Sequence, residues 1–204
     1  MMIPAVVLAA GLSTRMGRSK ALLPIDDVDT FLTRIVRTFL AAGIDDVVVV
    51  VGHEAEQVAA AFATTGLPAR FVVNTAYQSG QLSSVLAGLS VVDRPGVSAA
   101  LLTLVDVPLV ATATVRAVVD RYRQTHAAIV RPTSGDRHGH PVLVDRALFD
   151  ALRRADPGLG IKPVVRSHAS TAGDVSIEDP GAFLDVDTPA EYEALVRRGV
   201  PPVQ

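Results

Sequence analysis

Five consecutive valines, Val47–Val51, restrict the fold more than any other part of the sequence. Valine is β-branched and favours strands, and an apolar run without polar alternation is typical of a strand covered on both faces. Similar apolar runs occur at 3–8 and 99–105, and segments with apolar residues at helical spacing lie between the runs. This alternation predicts an α/β fold in which a mostly parallel central sheet lies between two layers of helices.

The remaining predicted elements are shorter and become irregular toward the C-terminus. Helical patterns begin near Thr30 and recur over 54–62, 82–89 and 113–122. The predicted short strands are Arg70–Val73, 127–130, 142–144 and 182–186, a long polar loop covers 132–141, and two short helices cover 147–153 and 161–166. We therefore expect one Rossmann-like three-layer domain over residues 1–204, with a small C-terminal lobe.

Composition excludes several classes of protein. The length of 204 residues and the apolar content of 49% suit a globular domain with a sizeable core. The formal net charge of -2 argues against a nucleic-acid partner, because such proteins neutralise phosphates with basic residues. Cysteine is absent, which excludes disulfides and thiolate metal sites. The sequence has no secretory signal pattern and no apolar run long enough to span a bilayer, so we expect a cytoplasmic protein without a membrane partner.

The segment between Leu8 and Lys20 follows the first predicted strand and reads LAAGLSTRMGRSK. Small residues let backbone N–H groups approach a ligand closely, and consecutive N–H groups in a turn form an anion site. Arg15 and Lys20 add positive charge. The two best-known phosphate loops have other spacings, because Gly11 and Gly17 stand six residues apart with no glycine between them. The segment predicts a polyphosphate site of another kind, and an ordinary solvated loop is the alternative.

Asp106 follows the apolar run 99–105 directly. A carboxylate at the end of a buried strand must be paired or must bind a cation, because burying it alone is costly. Mg²⁺ is one candidate cation, since it needs only one or two carboxylates together with phosphate oxygens. The alternative is that Asp106 caps the next helix or a turn around Pro108.

A second pair of carboxylates, Asp185 and Asp187, precedes Pro189. Residues two apart in a strand project to the same face, so these two side chains would converge if the predicted strand is present. Either Asp187 or Thr188 is expected to cap the last helix, with Pro189 in its first turn.

Two further regions carry polar or basic groups. Residues 74–84 are rich in amides and hydroxyls, which can bind a base or a sugar without adding charge. His138 and His140 lie in the polar loop, but no cysteine or third ligand accompanies them, so a zinc site is not expected. Lys162 and Arg166 lie on a predicted helix and would either contact an acceptor phosphate or be solvated.

Taken in order, these segments resemble the MobA-like nucleotidyltransferases over nearly the whole chain, and they are most similar to the molybdenum cofactor cytidylyltransferase branch. The matching patterns are L-A-A-G-x-S-x-R-M-G-x-x-K in the first loop, L-x-D-x-P around Asp106 and D-x-D-T-P from Asp185. Val105 departs from the family, in which glycine often stands, and so does the segment 25–29, where relatives usually carry a glycine. The resemblance implies the fold of the nucleotide-diphospho-sugar transferases.

The resemblance also implies a reaction and a set of roles. The enzyme would use Mg²⁺ to transfer a nucleoside monophosphate to a phosphorylated acceptor, the molybdenum–molybdopterin cofactor, and would release pyrophosphate. Arg15, Lys20 and Asp106 would be catalytic, and Asp106 would hold the metal with Asp187, or with Asp185 instead. The nucleotide would contact Leu8, Ala9, Ala10, Gly11, Ser13, Thr14, Arg15, Lys20, Asn74, Gly80 and Ser84, and the acceptor would contact His140, Lys162 and Arg166.

Ala10 bears on the choice of base, because guanylyltransferases of the family usually carry glycine there. Its methyl group would narrow the space beside the base, which favours CTP over GTP. A guanylyltransferase and a sugar-phosphate nucleotidylyltransferase remain the enzymatic alternatives. The non-enzymatic alternative is a chaperone that binds the cofactor and delivers it to a molybdoenzyme.

Overall fold

The computed structural model describes residues 1–203, and its centre is an eight-stranded sheet. Most strands follow the apolar runs of the sequence, and Arg70–Val73 and Val47–Val51 have the predicted bounds. The strands are β1 (Ala5–Ala9), β2 (Val47–Val51), β3 (Arg70–Val73), β4 (Ala99–Leu104), β5 (Ile129–Ser134), β6 (Arg137–His138), β7 (Val142–Asp145) and β8 (Asp174–Ser176).

The first helix begins and ends where local sequence signals place it. Thr30 caps the first helix through the backbone N–H of Thr33, and Gly43 follows its end with a φ of 84°. In the described part of the chain, no helix is both long and apolar enough to cross a membrane. The helices are α1 (Phe31–Ala41), α2 (Ala55–Ala63), α3 (Gln81–Val92), α4 (Thr112–Thr125), α5 (Phe149–Arg153), α6 (Lys162–His168) and α7 (Pro189–Arg198).

The strand order is β3-β2-β1-β4-β7-β5-β6, with β8 beside β5. Strands β1 to β4 are parallel to one another, whereas β7 runs antiparallel to both β4 and β5. The sheet is therefore open and mostly parallel, as the sequence predicted. The carboxyl ends of β1 and β4 lie side by side, because these strands are neighbours in the sheet.

The hydrophobic core has two parts, one on each face of the sheet. Helices α1, α2, α4 and α7 pack on one face, where Phe31, Phe39 and Tyr122 are almost fully buried. Helices α3 and α5 pack on the other face with Leu89, Phe149 and other buried residues. The three-layer arrangement follows from strands such as β2, in which all five residues are buried.

Two predictions for the C-terminal part of the chain are wrong. Residues 182–186 do not form a strand, because Pro180–Phe183 is a 3₁₀ turn in which the Asp179 carboxylate accepts a hydrogen bond from Gly181. The strand of this region is β8, which the sequence analysis missed. The predicted polar loop 132–141 is also partly ordered as a hairpin, since β5 continues to Ser134 and pairs with β6.

Candidate functional site

The loop after β1 holds the cationic side chains of Arg15 and Lys20 near the ends of β1 and β4. Ser13 and Gly17 both have positive φ values, of 50° and 74°, and they turn the chain back on itself. The Ser13 hydroxyl accepts a hydrogen bond from the backbone N–H of Lys20 at 3.2 Å, which joins the two ends of the loop. The side chain of Met16 is buried beneath the loop and anchors it to the core.

This loop forms one wall of a cleft of about 360 Å³, which we name the loop cleft. The residues predicted to contact the nucleotide line this cleft, with the exception of Asn74. Tyr77 and Gln81, from the amide- and hydroxyl-rich segment 74–84, also line it, and so does Val105, for which the sequence predicted no contact. The predicted residues that line the loop cleft are Leu8, Ala9, Ala10, Gly11, Ser13, Thr14, Arg15, Lys20, Gly80 and Ser84.

Asn74 supports the loop cleft from behind. Its side chain is buried, and its amide nitrogen donates hydrogen bonds to the hydroxyls of Ser83 at 2.8 Å and Ser84 at 3.0 Å. Its carboxamide oxygen accepts a hydrogen bond from the backbone of Ala76. Asn74 thus fixes the turn before α3 and the first turn of that helix, and it acts as a positioning residue in this structure.

Lys20 lies between the two carboxylates that the sequence analysis assigned to a metal. Its ammonium group is 3.0 Å from Asp106 Oδ2 and 2.5 Å from Asp187 Oδ1, and the residue is only 8% exposed. Arg15 reaches Asp187 Oδ2 at 2.8 Å from the solvent side. The hydrogen bond from Lys20 and the charges of Lys20 and Arg15 hold the pKa of Asp187 below its ordinary value, although burial opposes that shift.

The local structure around Asp187 leaves its carboxylate free to face the loop cleft. Thr188, rather than Asp187, is the N-cap of α7, and Glu191 completes a capping box with it. The backbone N–H of Val186 donates to the carbonyl of Asp106 at 2.9 Å and so joins the two carboxylate-bearing segments. Asp106 does not cap a helix, because Ala111 occupies the N-cap of α4.

The donor set at Asp106 and Asp187 fits a hard divalent cation. Oδ1 of Asp106 is buried and has no hydrogen-bond partner within residues 1–203, which leaves one carboxylate oxygen without a partner. The described residues hold no cluster of three or more histidine, cysteine, aspartate or glutamate side chains that would bind a metal by themselves. Two carboxylates with phosphate oxygens completing the shell are the usual ligands of Mg²⁺, and they do not suit zinc.

A second cleft of about 490 Å³, which we name the basic cleft, adjoins the loop cleft. The two clefts share Leu8, Gln81 and Leu104 as their common border. The three residues predicted to contact the acceptor, His140, Lys162 and Arg166, all line the basic cleft, together with Arg131, His138 and Asp185. Asp185 and Asp187 thus face different clefts, and they do not converge on one point as a strand would have placed them.

Two titratable groups of the basic cleft have shifted pKa values. Burial lowers the pKa of His140, although a hydrogen bond to the backbone of Leu102 and the charges of Asp185 and Asp106 oppose the shift. Burial and the nearby Asp106 charge raise the pKa of Asp185. The imidazole of His140 has a buried Nδ1 for which the described residues provide no hydrogen-bond partner. The basic cleft therefore combines this unpaired polar atom with the basic side chains of Arg131, Lys162 and Arg166.

The two departures from the family pattern have local explanations. Val105 donates its backbone N–H to the carbonyl of Leu8 at 3.1 Å, so the loop after β4 stays close to β1 without a glycine. In the segment 25–29, the Asp26 carboxylate accepts hydrogen bonds from the backbone of Val28 and Asp29. The Asp26 side chain therefore closes a turn in a segment that contains no glycine.

An open α/β sheet with a cationic loop after β1 and a carboxylate after β4 defines the class of nucleotidyltransferases. The model of the MobA-like NTP transferase domain matches residues 5–172. The chain therefore belongs to the MobA-like NTP transferase family and is a nucleotidyltransferase. Rv0371c from Mycobacterium tuberculosis is a similar solved structure, with 31% identity, a TM-score of 0.81, and coverage of 97% of this chain and 99% of that one.

Two curated relatives have different activities in their names. The chain is 32% identical to the nicotine blue oxidoreductase of Paenarthrobacter nicotinovorans, over 95% of this chain and 96% of that protein. It is 27% identical to the molybdenum cofactor cytidylyltransferase of Escherichia coli, over 93% of each chain.

A second structure of Rv0371c is described as a complex with manganese. It has 30% identity to this chain and a TM-score of 0.74, and the match covers 97% of this chain and 99% of that chain.

Proposed function

We propose that the protein transfers CMP from CTP to a molybdopterin-type phosphate acceptor and releases pyrophosphate. The observation that carries this proposal is the pair of adjoining clefts, with the cluster of Lys20, Asp106 and Asp187 near their common border. One cleft is lined by the small residues of the loop after β1 and by the cations Arg15 and Lys20, which suits a triphosphate. The other has a basic rim that suits a phosphorylated acceptor. The proposal includes a cytoplasmic reaction and a molybdoenzyme that receives the product.

The transfer is an in-line displacement at the α-phosphorus of the nucleotide. An oxygen of the acceptor phosphate forms a new bond to that phosphorus, and the bond to the pyrophosphate leaving group breaks. A phosphate monoester is mostly ionised at neutral pH because its second pKa is about 6, so no general base is required. Catalysis therefore depends on positioning and on neutralising charge.

Lys20 and Arg15 have distinct roles in this proposal. Lys20 is buried at the bottom of the loop cleft and would stabilise charge at the α-phosphate, whereas the more exposed Arg15 would contact the β- and γ-phosphates. A magnesium ion held by Asp106 and Asp187 would neutralise the triphosphate oxygens and polarise the reacting phosphoryl group. The free oxygen of Asp106 supports this assignment of the metal ligands.

The methyl group of Ala10 supports CTP as the nucleotide. Ala10 is nearly buried and lines the loop cleft, so its methyl group occupies space there that a glycine would leave open. A two-ring purine needs more room beside the strand than a one-ring pyrimidine does. The cleft therefore favours the smaller base.

The acceptor proposal depends on the basic cleft. Lys162 and Arg166 are four residues apart and line the cleft from α6, and Arg131 lines it from β5. Arg131 is paired with Asp174, while Lys162 and Arg166 form no ion pair with any residue that the structure describes. The phosphate of the acceptor would provide a negatively charged partner for Lys162 and Arg166. The ring system of the acceptor would contact the apolar residues Val142, Ile161 and Val165.

An oxidoreductase is the second candidate, and the 32% identity to nicotine blue oxidoreductase favours it. The sequence has no cysteine, so electron transfer would require a bound carrier such as a nicotinamide or flavin. A cleft that binds a nucleotide triphosphate could also hold the phosphates of such a carrier. Oxidation of a nicotinamide cofactor in the presence of nicotine blue, without pyrophosphate release, would support this candidate.

Pyrophosphate release tests the proposed function directly. The purified protein is given Mg²⁺, molybdopterin-type acceptor and each of four nucleoside triphosphates, and mass spectrometry identifies the product. We expect a cytidylylated acceptor and one pyrophosphate per product. Lys20→Ala should reduce turnover by about 10²-fold, as expected for removal of one charge-stabilising group. Acceptor binding without pyrophosphate release would instead indicate the delivery chaperone.

A matched pair of arginine variants tests the acceptor site. Arg166→Met should raise the KM for the acceptor and leave the KM for CTP unchanged, because Arg166 lines only the basic cleft. Arg154→Met is the control, since Arg154 is exposed, lies in the same region of the chain and lines neither cleft. Equal effects of the two substitutions on the acceptor KM would contradict the assignment of Arg166.

A further inference from the structure

The loop cleft already contains a cation between its two carboxylates, and that cation is the side chain of Lys20. The ammonium group contacts Asp106 and Asp187 at 3.0 Å and 2.5 Å, and Arg15 contacts the remaining oxygen of Asp187. Two positive and two negative side chains therefore balance in this cluster. A divalent cation that binds the same carboxylates must compete with an ammonium group that is already in place.

We infer that Lys20 makes metal binding depend on the nucleotide, so that the triphosphate binds before the divalent cation. The inference rests on the proposed metal ligands, Asp106 and Asp187. In the free protein, the carboxylates are neutralised by Lys20 and attract a divalent cation only weakly. A bound triphosphate offers Lys20 a new anionic partner, and the carboxylates then become available to the metal.

The backbone of Lys20 allows this exchange without a movement of the loop. Residues Lys20–Leu22 form a 3₁₀ turn, and the backbone N–H of Lys20 is bonded to the hydroxyl of Ser13. The α-carbon is thus fixed, while the long side chain rotates about its own bonds. The exchange depends on a new anion, because an ammonium group in a nearly buried position cannot leave one partner without finding another.

Thermodynamic linkage gives the inference a second consequence. If the nucleotide raises the affinity of the protein for the metal, the metal must raise the affinity for the nucleotide by the same factor. Removal of the Lys20 ammonium should reduce this coupling, because the carboxylates would then be available at all times. The metal affinity of the free protein should rise at the same time.

Mn²⁺ binding without any transfer reaction tests the inference. Titration of the full chain, followed by the electron paramagnetic resonance of free Mn²⁺, gives the Kd with and without a non-hydrolysable CTP analogue. In the wild-type protein, we expect the analogue to tighten Mn²⁺ binding by about tenfold, which is within the usual range for coupled sites. Lys20→Met should bind Mn²⁺ about tenfold more tightly than wild type in the absence of the analogue and should lose most of the coupling.

Arg154→Met is the control, because it also replaces a basic side chain by methionine, and Arg154 is exposed and lines neither cleft. Its Kd for Mn²⁺ should stay close to the wild-type value. If Lys20→Met destabilises the protein, Mn²⁺ should raise its unfolding temperature more than that of wild type. Equal Mn²⁺ affinities of wild type and Lys20→Met would overturn the inference but would not contradict the assignment of Asp106 and Asp187 as metal ligands. If no Mn²⁺ binds to either protein, even with the analogue, both the inference and the proposed metal site are wrong.

Discussion

The substitution Asp187→Asn tests whether the Asp187 side chain acts through its negative charge or through a stabilising contact with helix α7. Asparagine has nearly the same shape and still accepts a hydrogen bond from Lys20, but it lacks the charge that a divalent cation needs. The structure shows that Thr188 provides the cap of α7, so the substitution leaves that cap intact. The expected result is a small loss of stability with a large loss of metal-dependent turnover.

The size of both effects follows from the contacts of Asp187. The pair with Arg15 contributes about 0.5 kcal/mol, because the Arg15 side chain is 67% exposed. The bond from Lys20 weakens from a charged to a neutral one, which costs about 1 kcal/mol, and Lys20 keeps its contact with Asp106. The free energy of unfolding should therefore fall by about 1–2 kcal/mol. Turnover should fall by about 10²-fold, which corresponds to about 2.7 kcal/mol of lost transition-state stabilisation.

Urea denaturation and Mg²⁺-dependent pyrophosphate release measure the two effects separately. Thr188→Ala is the matched control, since loss of the cap should cost about 1 kcal/mol and leave the dependence on Mg²⁺ unchanged. If Asp187→Asn retains at least half of the wild-type turnover at the same Mg²⁺ concentration, Asp187 is not a metal ligand. Asp185→Asn would then be the next variant to examine, although Asp185 faces the basic cleft.

Three further predictions concern the base, the pH and the core. Ala10→Gly should shift the ratio of kcat/KM values for CTP and GTP toward GTP, and a wild-type preference for GTP would contradict the proposed base. Burial raises the pKa of Asp46, but the hydrogen bonds from Arg94 and Arg70 outweigh it and leave the pKa below 3.8. The stabilisation that these ion pairs give the folded protein is therefore fully present above pH 3.8 and is lost as the pH falls through the lower pKa of the folded state. Asp46→Asn should make the free energy of unfolding, measured by urea denaturation, depend less on pH in this acidic range. Gly88→Ala should lower the free energy of unfolding by about 1–3 kcal/mol, because a Cβ there overlaps a methyl group of β1, and an unchanged urea midpoint would refute that packing argument.

The parallel half of the sheet could be predicted because its signals are local. Val47–Val51 is a strand with the predicted bounds, and the helix expected from Thr30 begins at Phe31 with Thr30 as its cap. In each case, the residues that determine the element lie within it or beside it. The loop between Leu8 and Lys20 could be located for the same reason, since its composition alone distinguishes it from the flanking strand and helix.

The C-terminal part could not be predicted, because its structure depends on distant contacts. Residues 182–186 are apolar enough for a strand, but Gly181 packs against the carbonyl of Leu109, and the Asp179 carboxylate bonds to Ala111 and to Gly181. These contacts with the segment before α4 fix a 3₁₀ turn in place of the strand. No pattern within 182–186 indicates them.

The partners of Lys20 could not be predicted either, although its position in the loop could. The residues that hold its ammonium group lie 86 and 167 positions away in the sequence. The sequence predicted a lysine facing phosphate and a pair of aspartates facing a metal, as two separate features. Only the fold shows that one side chain connects them.

The topology of the sheet explains why these distant residues meet. Strands β1 to β3 are added toward one edge, and the chain then crosses back to place β4 on the other side of β1. The helices of the first two crossovers pack on one face and α3 packs on the other, so a crevice opens at the carboxyl ends of β1 and β4. The loop after β1 and Asp106 after β4 therefore line the same crevice from opposite sides. Because β7 pairs with the far side of β4, the residues just before β7, among them His138 and His140, contribute to the basic cleft directly beside this crevice. The loop cleft and the basic cleft are thus separated only by their common border of Leu8, Gln81 and Leu104. Two phosphates bound in the two clefts would lie side by side, which is the arrangement that the proposed transfer between them requires.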